Sequence, residues 1–307
     1  MNEVIVKTRG ITKKYGSAAA VRDLSIQVRR GEIYALVGQN GAGKTTLLKL
    51  ICGLAEPTAG GLELFGQAAP KWLGRARSRI GSMIETPGFF PYLSAGQNLE
   101  FYRIQRGVRG AGCVRRALRL VGLAGTGRKK FRSFSLGMKQ RLGLALAVMN
   151  DPQILVLDEP INGLDPVGIR EFRDILQRLN REKQTTVLIS SHILGELSQF
   201  ATDYGFIRDG RLLEHISAAD LKEKCRSCLR IEADSAERAA AVLREKCACP
   251  SVEALGKTEL RVNGNPEHPE LLVRALVENG VQVSQVYRSG ISLEQYFVNL
   301  IGGKQVA

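Results

Sequence analysis

Ile33-Tyr34-Ala35-Leu36-Val37-Gly38-Gln39-Asn40-Gly41-Ala42-Gly43-Lys44-Thr45 decides how this chain is read. The first five residues are a near-continuous apolar run, the composition of a strand covered on both faces in a parallel sheet. The next eight match G-x-x-x-x-G-K-[ST], and an amphipathic helix is expected from about Lys44 to Gly53. Strand, glycine-rich loop and helix open an α/β unit. Gly38, Gly41 and Gly43 allow positive φ and close approach to a phosphate. Successive N–H groups and the helix N-terminus make an anion cradle. Lys44 brings a point charge to the β/γ-phosphates, and Thr45 offers a hydroxyl to Mg2+.

Working outward, Gly31 turns a first set of strands, Val4–Val6 and Leu24–Val28, into the apolar run. Ile154–Leu157 is a second buried strand, and Asp158 at its end suits Mg2+, directly or through water. Glu159 follows, placed as a general base for an attacking water. Thr185–Ser190 is another strand. His192, just beyond it, lies at the carboxyl edge of the sheet, where open α/β folds bind ligands. There it is read as a donor to the terminal phosphate. Between these, residues 97–149 carry Leu99, Tyr102, Ile104, Val114, Leu118, Val121 and Leu123 at helical spacing, a helical insertion. Ser135 is its candidate N-cap, and a second anion-binding helix end in the context of its neighbours. Phe206–Leu212 reads as a hairpin turning at Asp209-Gly210.

At 307 residues the chain has room for about two domains. The longest apolar runs fall far short of the ~20 residues of a membrane helix, and Met1–Thr8 has no secretory h-region. Residues 103–141 hold 12 basic and no acidic residues. Such a segment suits phosphates, nucleic acid or anionic lipid, and equally a solvated helical face. Beyond residue 216 the pattern becomes Cys228–Glu232 strand, Ala236–Lys246 helix, Val252–Leu255 and Glu259–Val262 strands, Pro269–Glu278 helix and Val281–Val286 strand. That order is the ferredoxin-like β-α-β-β-α-β arrangement, with a last helix from Ser292 to Leu300. Cys225, Cys228, Cys247 and Cys249 resemble a zinc ribbon only loosely, because the second pair is C-x-C; reduced thiols are the expectation.

These motifs, in this order, resemble the nucleotide-binding subunit of ATP-binding cassette (ABC) transporters over residues 1 to about 220. Gly38–Thr45 looks like Walker A, Ser135–Gln140 like the signature motif and Ile154–Glu159 like Walker B. Asn162–Asp165 looks like the D-loop and Ser191-His192 like the switch histidine. The resemblance implies a P-loop NTPase cassette over 1–216, with a helical subdomain at about 97–149 and a small accessory α+β domain over 217–307. It implies ATP and Mg2+ as ligands. Gly38, Asn40, Gly41, Gly43, Lys44, Thr45 and Thr46 would bind ATP, with Tyr15 stacked on adenine. Ser135, Gly137 and Met138 would act in trans on the ATP of a second cassette, and Asp165 would serve in the D-loop. Glu159 and His192 would be catalytic, and Thr45, Asp158 and Glu85 would hold the metal.

Two departures stand out. Glu85 lies where the family has the Q-loop glutamine, and Ser135-Leu136-Gly137-Met138 replaces Ser-Gly-Gly-Gln. Both departures, and the tail Leu293–Phe297, are similar to bacterial exporters of peptide antibiotics, of the bacitracin-resistance and lantibiotic-immunity type. The implied partners are a membrane permease and a second cassette, a copy or a sister chain, at the cytoplasmic face of the bacterial membrane, with no nucleic acid. A soluble ABC ATPase acting on nucleic acid or ribosomes is the competing reading, kept open by the basic segment. Such proteins typically carry two cassettes, coiled coils or zinc modules, which do not appear here. Intact Asp158, Glu159 and His192 speak against a non-hydrolysing sensor.

Overall fold

Strand pairing begins at the first described residues of this computed structural model, which describes 3–85, 88–110, 112–225, 228–247, 251–263 and 268–302. Strand β1 (Val4–Tyr15) pairs antiparallel with β2 (Ala18–Leu24) through its second half and with β3 (Gln27–Arg29) through its first. The single strand expected over Leu24–Val28 is therefore broken. Thr8 Oγ1 donates to Leu24 O at 3.0 Å and accepts from Ile26 N at 2.9 Å. A side chain replaces the ladder bond at this point, as at a bulge.

Strand β4 (Ile33–Val37) is buried at all five positions. Helix α1 (Lys44–Cys52) is bounded by Gly43 at φ 102° and Gly53 at φ 75°. Both are left-handed conformations that cost glycine little. Leu47, Leu48, Leu50 and Ile51 of α1 are fully buried, each worth about 1.5–3 kcal/mol relative to exposure. Strand β5 (Ala59–Leu64) then pairs with β1, helix α2 (Pro70–Arg77) begins with proline at its first turn, and β6 (Ile80–Met83) enters the main sheet.

The crossover that follows carries the helical insertion: α3 (Ala95–Gln105), α4 (Gly112–Leu120) and α5 (Leu136–Val148). A capping box between Ser94 and Gln97 starts α3 two residues earlier than the hydrophobic spacing indicates. Ile104, expected on the buried face, is 65% exposed. The chain returns as β7 (Ile154–Asp158), parallel to β6. Helix α6 (Pro166–Lys183), β8 (Thr186–Ser191), the short α7 (Leu194–Leu197), β9 (Asp203–Arg208) and β10 (Arg211–Ser217) complete this part. The sheet order is β10-β9-β4-β8-β7-β6, parallel except for the β9–β10 hairpin. That hairpin turns at Asp209 and Gly210, both with positive φ, the signature of a type I′ turn. The loop after β4 thus shares the sheet's carboxyl edge with the ends of β7 and β8.

Chain contacts divide into two compact units, Met1–Ala218 and Ala219–Ala307. Helix α8 (Ala218–Lys224) begins at that boundary. The second unit runs β11 (Cys228–Ala233), α9 (Ala236–Lys246), β12 (Val252–Ala254), β13 (Glu259–Asn263), α10 (Pro269–Glu278), β14 (Val283–Ser289) and α11 (Leu293–Ile301). Its antiparallel sheet has the order β12-β13-β11-β14. Leu229, Ile231, Leu243, Leu260, Leu272 and Leu276 form its core. The last strand begins at Val283 rather than Val281. Left-handed Gly280 and the bond from Val281 N to Leu276 O still belong to the end of α10. Among the described residues no group of three or more His, Cys, Asp or Glu is arranged to hold a metal. Cys249 lies outside the described residues, and burial raises the Cys225 thiol above its ordinary value.

Tyr34 in β4 stacks on His215 at 5.5 Å between ring centroids, and its hydroxyl is buried with no hydrogen-bond partner among the described residues. A Cβ at Gly205 would lie 2.4 Å from that hydroxyl oxygen, so glycine provides its space. Tyr34→Phe is expected to hold or raise stability by about 1 kcal/mol, because it removes an unpaired buried hydroxyl. Gly205→Ala is expected to cost about 1–3 kcal/mol, and less in the Tyr34→Phe background. Thermal denaturation of the three variants checks both expectations, and a marked loss in Tyr34→Phe refutes the account.

Candidate functional site

The loop between β4 and α1 is built around its glycines. A Cβ at Gly38 would meet Ile207 O at 2.5 Å, and one at Gly43 would meet Ala20 O at 2.4 Å. Gly41 faces open space, and its φ of 82° makes a side chain there strained. The backbone therefore forms a cradle that a side chain would fill or distort. Lys44, at the start of α1, is only 5% exposed. Its Nζ donates to Gly38 O at 2.6 Å and Gln39 O at 3.1 Å, and lies 3.1 Å from Glu159 Oε1. A buried ammonium needs such compensation.

The register of β7 against β8 sets Asp158 opposite Ser190. Thr45 Oγ1 donates to Asp158 Oδ2 at 2.8 Å, and Ser190 Oγ donates to Asp158 Oδ1 at 2.7 Å. The same Ser190 oxygen accepts from Glu159 N at 2.9 Å. Glu159 has φ 46°, an uncommon conformation for a side-chain-bearing residue. That bond helps hold its turn. Glu159 Oε2 lies 2.8 Å from His192 Nδ1, while Oε1 has the Lys44 ion pair but no hydrogen bond among the described residues. A carboxylate only accepts, so the proton of this contact sits on Nδ1. Lys44, Glu159 and His192 form one chain of polar contacts across the strand ends. Ser190 went unrecognised in the sequence. Only the register of two distant parallel strands brings it to both carboxylates.

The remaining expected residues take the following places. Asn40 and Tyr15 are exposed, and Thr46 lies in the first turn of α1. Lys13 Nζ sits 5.1 Å from the Tyr15 ring centroid. Glu85, at φ 59°, accepts from Lys49 Nζ at 2.5 Å, so its hydrogen bond goes to α1 rather than to Thr45 or Asp158. Thr86 and Pro87 next to it lie outside the described residues. The Lys49 ammonium is held above its ordinary value, first by that bond. Ser135 caps α5 by accepting from Met138 N at 3.3 Å, and Asp165 caps α6 by accepting from Gly168 N at 3.1 Å. A cavity of about 410 Å3 lies where these two helix starts meet, bordered by Ser135, Gly137, Leu164 and Asp165.

The cradle and the exposed carboxyl edge of the parallel sheet define a P-loop nucleotide-binding protein with a helical insertion. The ABC transporter family matches residues 21–162. The bacitracin transport ATP-binding protein BcrA of Bacillus licheniformis is 40% identical over 299 residues, covering 97% of this chain and 98% of the relative. The lantibiotic transport ATP-binding protein SrtF of Streptococcus pyogenes is 38% identical over 222 residues, 71% of this chain and 95% of the relative. Among solved structures, the dimeric post-hydrolysis state of the ATP-binding cassette MJ0796 bound to ADP and Pi matches with a TM-score of 0.63 at 26% identity. That match covers 70% of this chain and 99% of the other. The chain belongs to the ATP-binding subunits of ABC transporters and is an ATPase of that family, related to the bacitracin and lantibiotic transport proteins.

Replacing Lys44 with Ala is expected to weaken ATP binding by about 1.5–3 kcal/mol, roughly 10- to 150-fold in affinity. Titration with a fluorescent nucleotide measures it. Unchanged affinity would mean that Lys44 does not face the phosphates.

Proposed function

We propose that this chain powers a bacterial exporter of peptide antibiotics by closing with a second cassette over Mg2+-bound ATP and opening after hydrolysis. The observation that carries this reading is the chain Lys44–Glu159–His192, in which one oxygen of Glu159 pairs with the Lys44 ammonium and the other accepts from His192 Nδ1. A triphosphate competes directly for Lys44, because the ammonium finds in it a denser negative charge than one carboxylate. Releasing Lys44 frees one oxygen of Glu159. The turn of His192 toward the terminal phosphate frees the other. Glu159 then has both oxygens available to take a proton from the attacking water.

The N–H groups from Gly38 to Thr45, with Asn40 and Thr46, hold the phosphates. Thr45 and Asp158 are adjacent hard oxygen donors, the kind of set that suits Mg2+, and Glu85 is the third candidate ligand. When bound, the metal supplies charge neutralisation at the β- and γ-oxygens. Tyr15 stacks on adenine. Ser135, Gly137 and Met138 contact the ATP of the partner cassette through the N-terminus of α5, where N–H groups and the helix dipole favour an anion. Asp165 borders the same cavity, which supports a shared interface role for signature and D-loop.

The permease is expected at an exposed aromatic patch before and within α3. Phe90, Tyr92 and Phe101 are all exposed. The rings of Phe90 and Phe101 meet edge to face at 4.7 Å, and Arg132 lies 5.2 Å from the Tyr92 ring. Apolar rings rimmed by arginine suit an amphipathic segment of a membrane subunit. No helix among the described residues is long and apolar enough to cross a membrane. The reading therefore places the chain peripherally at the cytoplasmic face, with basic residues of 103–141 toward the inner leaflet. The resemblance to BcrA and SrtF supports a peptide antibiotic as the transported class.

Glu159→Gln is expected to bind ATP, turn over little and accumulate as a nucleotide-bound dimer. Gel filtration with ATP and Mg2+ tests this, and a variant that stays monomeric refutes it. Glu85→Gln is expected to leave ATP binding intact, weaken the pair with Lys49 and change the stimulation of ATPase by the permease. ATPase assays with and without the membrane subunit decide it, identical stimulation being the contrary result.

A further inference from the structure

Leu136 opens α5 directly after the Ser135 cap and is 48% exposed. It stands where the signature pattern has a glycine, and its side chain turns to its own chain. A Cβ on Gly163 would lie 3.0 Å from Leu136 Cδ2. Leu164 makes the reverse contact: a Cβ on Gly137 would lie 3.7 Å from Leu164 Cδ2, and one on Gly168 in α6 would lie 3.5 Å from Leu164 Cβ. Each leucine thus lies over a glycine of the other element. Gly163 has φ 74°, so glycine provides both the turn and the space for the Leu136 methyl. Further along both helices, Arg141 of α5 pairs with Glu171 of α6 at 3.1 Å, and Arg178 of α6 donates to Leu120 O at the end of α4 at 2.8 Å. The insertion is fastened to α6 and to the turn before it by apolar contact, an ion pair and a hydrogen bond.

The turn that Leu136 touches begins at Glu159. Asn162 N donates to Glu159 O and Leu164 N donates to Ile161 O, both at 3.2 Å. Ile161 is buried, and Asp165 caps α6. Two successive turns therefore join Glu159 to the start of α6. Asn162 and Gly163, between them, are exposed. Exposed turns with few apolar contacts open at low free-energy cost, and the crossed leucines add such contacts at this point. A glycine at position 136 would have no methyl to reach Gly163.

We propose that Leu136 is a positioning residue for Glu159 that acts within its own chain: its contact with Gly163, returned by Leu164 on Gly137, fixes the turns leading from Glu159 to the helix end that meets the partner's nucleotide. The link between the two nucleotides rests on the two-cassette reading; the contact itself does not. The base serving one nucleotide and the helix end receiving the other are then parts of one packed unit. Loss of the link leaves ATP bound and Glu159 less well placed.

The test uses the purified full chain. Without nucleotide, Leu136→Ala is expected to speed amide exchange in peptides spanning 159–165 about tenfold, with exchange in β7 unchanged. With ATP and Mg2+, it is expected to lower kcat about 5- to 10-fold with KM changed by no more than about twofold. Leu136→Met keeps the reach to Gly163 and is expected to restore both readouts. Leu164→Ala is expected to resemble Leu136→Ala, and the double variant to lose little more than either, because the two side chains share one contact. A residue serving only the partner's nucleotide would leave exchange in the isolated chain unmoved. Unmoved exchange, wild-type kcat in Leu136→Ala, or additive losses in the double variant would each overturn the assignment. A Glu159→Gln protein that stays monomeric with ATP sinks the two-cassette reading and the link between sites, whereas the exchange measurement decides the contact by itself.

Discussion

Parallel register between β4, β8 and β7 is the constraint from which the site follows. Val37 pairs with Ser191 and Asp158 with Ser190, so the phosphate loop, the two acidic residues and His192 all leave the sheet at one edge. A slip of one residue would turn every side chain of a strand to the opposite face. Complete burial of β4 and β8 makes such a slip costly, since it would have to repack Leu36, Leu188 and Ile189 together. Core packing thereby sets where the polar groups at the strand ends stand relative to one another.

Within that frame the site balances buried charge with charge. Lys44 is nearly inaccessible, with Nζ donating to two carbonyl oxygens of its own loop and ion-paired with one carboxylate oxygen. Ser190 performs two tasks with one hydroxyl, donating to Asp158 and accepting from the amide of strained Glu159. The positive φ at Glu159 persists because its neighbours hold it from several sides. In the proposed cycle this network changes partners, with the nucleotide replacing the internal counter-charges.

The helical insertion shows a comparable economy. It interrupts the connection between β6 and β7 without separating them, because those strands remain parallel neighbours. Ser135 and Asp165 are the N-caps of α5 and α6, and the caps end the cavity that the two helix starts share. A residue that completes an unsatisfied helix end is thus also placed where an anion would be received. The departure to Leu136 and Met138 leaves that capping intact, because only the Ser135 hydroxyl and a backbone amide take part.

The sequence by itself determined the α/β class, the glycine loop, the order of the motifs and most elements of the second unit. Each of these depends on local signals: apolar runs, residues that tolerate positive φ, capping side chains and helical spacing. Asp158, Glu159 and His192 were legible as candidates because Asp158 ends one buried strand, Glu159 follows it and His192 follows another, all at one edge of the sheet. Tertiary structure alone decided that Lys44 and His192 share Glu159, that Ser190 joins both acidic residues, and that Glu85 turns to Lys49. It alone broke Leu24–Val28 through the hydroxyl of Thr8 and left the Tyr34 hydroxyl buried with no hydrogen-bond partner among the described residues. The physical reason is common to all of these. They arise between residues far apart in the chain, or from how much water a fold admits, and neither distance across a sheet nor burial of a single oxygen is written in any local pattern.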